Sequence, residues 1–126
     1  MASLAPSHEI KFFEEHEEVH SVVSGFWSLE TIQTYFDAVN DACLPLVKAR
    51  KPIFALVDFT GFVTQDRAVG DAIRDHLLQA QKFGMRRLAI IGASPLVKMQ
   101  YKRLSEGVTV EYFDSQSEGQ RWLRDR

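Results

Sequence analysis

What the chain has little of narrows its class first. One cysteine, Cys43, stands in 126 residues, so no internal disulfide can staple the fold. One Cys among four scattered histidines also makes no metal-ligand spacing, and neither metal nor cofactor is expected. The longest apolar runs are about five residues, where crossing a bilayer takes roughly 20. The start, Met1 to Ser7, lacks the basic residues and long apolar core of a signal peptide, so the cytoplasm is the expected compartment. Basic excess is missing too: 15 Lys and Arg against 17 Asp and Glu give no concentrated basic face for nucleic acid. The charge is uneven, with four Lys/Arg and nine Asp/Glu in residues 1–63 but eleven and eight in residues 64–126. Such a dipole can orient a protein partner.

What is present is an alternation. Ile10–Phe13 and Val19–Val23 read as two strands around the turn Glu14–Glu18, whose four glutamates repel one another and favour solvent at a hairpin tip. Next comes a helix with apolar residues at Leu29, Ile32, Phe36, Val39, Cys43 and Leu46, spacings of three and four that define one face. Ser28 suits its N-cap, with Trp27 packing on Ile32 as a staple. Pro45 should kink its last turn or end it early. On that buried stripe Cys43 reads as a core thiol.

Pro52–Asp58 is an unbroken apolar run, as in a central parallel strand buried on both faces. A second helix is expected from near Thr64, with Thr64 as N-cap, Val69, Ile73, Leu77 and Ala80 inward, and Gly84 as the stop. Gly70 inside it implies either close packing on the sheet or a mobile, regulated first turn. Leu88–Ile91 forms the next strand, and Ser94-Pro95 opens a third helix in favoured form. Val108–Phe113 alternates like a half-exposed edge strand. A capping-box pattern at Ser115–Glu118 then starts a final helix with Trp122 and Leu123.

The Asp58–Asp66 loop is the first candidate site, because it follows the central strand and leads into a helix N-terminus. Asp58 would fix the loop, Thr64 would cap the helix or accept a phosphate, with Thr60 as a second hydroxyl, and Asp66 and Arg67 would touch a partner. The neighbouring Gly92–Ser94 turn would join this surface. It is neither GxGxxG nor a P-loop, and no GxSxG elbow is present. Lys98, Lys102 and Arg103, with Arg86 and Arg87 nearby, read as a solvated basic face or a dock for an acidic protein or membrane headgroups.

In its order of elements the chain resembles the SpoIIAA-like branch of the STAS domains, related to anti-sigma-factor antagonists and placed near Sec14-type lipid-binding folds. The resemblance spans roughly residues 8–124 and rests on Leu56–Gly61, Phe83–Gly92 and Val110–Phe113 followed by Glu118 and Trp122-Leu123. It implies an α/β single domain with a four- or five-stranded mixed sheet and about four helices mostly to one side. It also implies regulation by binding a protein partner, without chemistry on a substrate. Classical antagonists carry Asp-Ser-Ser-Gly after the central strand, with a phosphorylatable serine. Here the matching Phe62–Arg67 segment offers only Thr64, which departs from that switch. By analogy with Sec14-type relatives, the alternative is a carrier of a small apolar or lipid-like ligand. The first and second helices would then part over the sheet, and Phe36, Phe62, Ile73 and Leu77 would line the gap. A weak homodimer through the edge strand or a helix face is compatible with either reading.

Overall fold

The computed structural model describes residues 4–126; Met1–Ser3, part of the segment read for a leader peptide, lie outside them. β1 (Ser7–Phe13) and β2 (Glu18–Ser24) form an antiparallel hairpin around a 3-10 turn at Glu14–His16. The chain then alternates through α1 (Leu29–Lys48), β3 (Ile53–Asp58), α2 (Arg67–Lys82), β4 (Met85–Ile91), α3 (Pro95–Leu104), β5 (Val110–Phe113) and α4 (Gln116–Arg124). The five strands lie in the order β1-β2-β3-β4-β5, parallel from β2 onward. This is the expected mixed α/β sheet.

Strand alternation divides the core in two. Val19 and Val23 of β2, Ala55 and Val57 of β3, and Leu88 and Ile90 of β4 face α1, α2 and α3. Phe54, Leu56, Ala89 and Ile91 point the other way, onto Leu123 and Trp122 of α4. Three helices therefore share one face and the last lies alone on the other.

Local chemistry explains most element ends. The Ser28 hydroxyl accepts from the Thr31 amide at 3.1 Å, and the Ser28 amide donates to Thr31 Oγ1 at 2.9 Å, a reciprocal capping box. Ser94 and Ser115 cap α3 and α4. Gly84, just past α2, has φ +115, a backbone that side chains with a Cβ rarely adopt.

Four local expectations need correction. α1 does not end early at Pro45 but runs on to Lys48 with the proline inside it. Only the Asp41 carbonyl loses its helical partner, and Asp41 is exposed, so water can satisfy it. Leu29, the first residue of α1, is off the buried stripe at 54% exposed. Thr64 is not a cap: α2 begins at Arg67 and Asp66 accepts from the Val69 amide at 2.9 Å. Gly70 is buried against Leu104 of α3, at ordinary contact distances for an added Cβ (3.5 and 3.8 Å), and not against the sheet.

The hairpin tip differs as well. Glu18 is fully buried on the α4 side, where it accepts from Arg124 Nε at 2.8 Å, Arg124 Nη2 at 3.1 Å and His20 Nε2 at 2.9 Å. Burial pushes its carboxyl up, but the hydrogen bonds and charges of Arg124 and His20 outweigh that and hold it below the usual carboxylate range. A residue expected in solvent instead ties the hairpin to the last helix.

Candidate functional site

The parallel strands β2, β3 and β4 point their carboxyl ends the same way, which gathers the loops that start α1, α2 and α3. Asp58 Oδ1 accepts from the Thr60 amide at 2.9 Å and its hydroxyl at 2.6 Å. Thr60 in turn leans on Gly92: a Cβ at Gly92 would come within 2.6 Å of Thr60 Oγ1, and Gly92 has φ +69. Asp58, Thr60 and Gly92 are thus in one contact chain. Ser94 and Asp66 are occupied as helix caps, while Thr64 and Arg67 are exposed.

The residue that organises this loop is one the sequence reading passed over. Gln65 is buried; its side chain accepts from the Trp27 amide at 2.8 Å and donates to the carbonyls of Gly25 at 3.1 Å and Val63 at 2.6 Å. Its backbone exchanges two hydrogen bonds with the Gln100 side chain, at 2.9 and 2.8 Å. One amide therefore joins the loop before α1, the loop before α2, and α3. Nothing in the spacing of the sequence signals a glutamine held by three distant partners, Gly25, Trp27 and Gln100.

The basic residues do not form one face. Arg87 extends to the α4 side, where it donates to the carbonyls of Trp122 and Asp125 and lies 5.1 Å from the centre of the Trp122 ring. Lys98 and Lys102 are both 5.6 Å from the Tyr112 ring, at the β5 edge.

The second concentration of chemistry is a cavity of about 590 Å³ between α1, α2 and the sheet. Phe36, Phe62, Ile73 and Leu77 are all among its walls, with Ala55 and Val57 of β3 as floor. This volume lies within the usual range for small-molecule pockets, roughly 300–1,000 Å³. Two contacts bridge its side: the Phe36 and His76 rings stack with centroids 4.0 Å apart, and His76 Nε2 lies 3.1 Å from Asn40 Oδ1. Burial lowers the His76 pKa to about 4, so the imidazole is neutral at pH 7. Cys43 also lines the space, and burial raises its thiol to about 11; it is a protonated wall residue, in keeping with a core thiol.

Three of the lining polar residues carry buried hydroxyls, in addition to Gln33, Asn40, Asp75, His76 and Gln79 along α1 and α2. Ser21, Tyr35 and Tyr101 are each more than nine-tenths buried and line the cavity. Burial raises the Tyr35 pKa to about 12, with the neighbouring Ser21 side chain opposing the rise in smaller measure. Because α1 and α2 descend from the carboxyl ends of the strands, the opposite end is formed by late residues of both helices, Leu44 and Val47 with Phe83 just beyond α2. Leu44 and Phe83 are exposed there. Among the described residues no cluster of three or more His, Cys, Asp or Glu could hold a metal, and no helix is long and apolar enough to cross a membrane.

No family model and no curated protein matches the chain. Solved structures do. An uncharacterized protein of the DUF3478 family with a SpoIIAA-like fold, from Shewanella loihica PV-4, aligns with a TM-score of 0.68 at 21% identity, covering 98% of each chain. The NMR structure of the protein TM1081 aligns with a TM-score of 0.66 at 15% identity, covering 93% of this chain and 88% of that one. The fold is SpoIIAA-like, as the order of elements implied.

Proposed function

We propose that this protein is a non-enzymatic binding module that holds a small apolar ligand between α1 and α2. The observation that carries this reading is the cavity: a space of about 590 Å³, walled by Phe36, Phe62, Ile73 and Leu77, opens under two helices that are otherwise well capped. Leaving apolar walls short of partner atoms costs stability. A ligand of matching size would recover those contacts. Partner docking, the first expectation from the sequence, becomes the second reading here. Organic extraction and mass spectrometry of protein purified gently from its own host test the proposal. One small apolar molecule per chain is the expected result, and an empty extract from protein that also takes up no apolar probe would refute it.

The docking reading keeps one specific support. Gln65 pins its loop from inside, which holds Thr64 and Arg67 out on a rigid surface beside Thr60 and Gly92. Partner recognition there would use Thr64 and Arg67, with Asp58 fixing the loop and Asp66 and Ser94 holding the helix starts. Replacing Arg67 and Thr64 by Ala should weaken partner binding without loss of stability. Replacing Asp66 would confuse the test, since losing an N-cap costs about 1 kcal/mol by itself.

A further inference from the structure

The cavity's walls are mostly apolar and their polar groups are neutral apart from Asp75, and this narrows the ligand. The inference rests on the cavity reading and names the class of molecule it takes. Among all its walls the sole formal charge is Asp75, and no Lys or Arg contributes. His76 at the side is neutral. A carboxylate or phosphate head drawn inside would lose its hydration and gain no cation, a cost of several kcal/mol per ion. Asp75 would repel it further.

A purely apolar ligand leaves a different debt at Tyr101. Tyr101 is 6% exposed, and among the described residues no hydrogen bond reaches its hydroxyl. Its ring stands edge-on to Phe59 at 5.2 Å, and the residue lines the cavity. Burial and the neighbouring Tyr35 push its pKa up, so it remains a hydrogen-bond donor at any ordinary pH. The hydroxyl is not among the fully buried unpartnered atoms, so solvent in the cavity can reach it. A purely apolar ligand that shut that solvent out would leave the donor unpaired, at a cost of about 1–3 kcal/mol. Tyr35 and Ser21 add two further buried hydroxyls to the lining.

We infer that the ligand is an uncharged, single-headed amphiphile, such as an alcohol, ester, amide or aldehyde on an apolar chain or ring. Its one oxygen-bearing head lies against Tyr101, Tyr35 and Ser21, and its apolar body runs toward Leu44 and Phe83. The space has room for roughly twenty water-sized groups, so a chain of ten carbons fits inside it. An anionic fatty acid of the same length is excluded by the missing cation.

Titration calorimetry at pH 8 with 1-decanol, decanoate and toluene tests this. Decanol should bind, and decanoate should bind at least about tenfold more weakly. Tyr101→Phe should weaken decanol about fivefold, the size of one net hydrogen bond, while toluene binds both chains alike. Tyr35→Phe serves the same purpose should the Tyr101 variant fail to fold. Decanoate binding as tightly as decanol, or decanol unmoved by either tyrosine change, would overturn the ligand class while toluene binding keeps the cavity reading alive. If none of the three molecules binds, both the class and the cavity reading fail.

Discussion

The two faces of this sheet are built to different standards. On the α4 face, Leu123 and Ala89 are fully buried, and Gly119 lets the helix come so close that an added Cβ would meet Ile91, Leu56 and Ala89 at 2.7, 3.2 and 3.4 Å. Arg124 then closes that face on the buried Glu18. On the other face three helices cover the same strands, yet α1 and α2 leave about 590 Å³ unfilled beneath them. Small domains have little stability to spare, so the uneven packing is informative. The tight face carries the fold, and the loose face is free to carry a guest.

Substitutions can sharpen or break that contrast. The largest effect is expected at Leu123→Ala, which empties the packed face and should lower unfolding free energy by about 3 kcal/mol in urea denaturation. Next comes a matched pair from adjacent strands. Ala89→Leu adds bulk under α4 and should cost about 2 kcal/mol. Ala55→Leu adds the same bulk to the cavity floor, should change stability by less than about 1 kcal/mol, and should abolish decanol binding. Equal costs at the two positions would erase the distinction.

Glu18→Gln follows, with an expected cost of about 1–2 kcal/mol at pH 7, since Arg124 is itself partly exposed and screened. The sign of its pH dependence is fixed by the lowered carboxyl. Its stabilisation is full above the ordinary value of 4.5 and is lost as pH falls through the lower folded value. Denaturation midpoints of wild type and Glu18→Gln should therefore converge in acid. The smallest effect is a gain: Gly70→Ala has ordinary contact room against Leu104 and should stabilise α2 by about 0.5–1 kcal/mol.

The parts of this architecture that were legible in sequence are those governed by local rules. The stripe Ile32, Phe36, Cys43, Leu46 announced α1 and its buried face, and the run Ile53–Val57 announced a central strand. Serines at 28, 94 and 115 announced three helix starts. The failures involve competition between local options settled at a distance. Thr64 and Asp66 are both good caps, two residues apart. Asp66 holds the position because Gln65 between them is drawn inward by Trp27, Gly25 and Gln100. Glu18 looked like one of four repelling glutamates because its partner Arg124 stands 106 residues away. Tyr35 and Tyr101 were legible as aromatic core residues at best. That both line one cavity depends on how α1 and α3 pack on the sheet, and no spacing encodes it.

Methyl-resolved NMR during titration with 1-decanol compares the two faces in one measurement. The account predicts that methyl signals of Ile32, Ile73, Leu77 and Leu88, which line the cavity, shift and saturate together at one ligand per chain. Those of Leu56, Ile91 and Leu123 on the packed face should stay within their starting linewidths. Unmoved cavity methyls, or shifts confined to the α4 face, would contradict it.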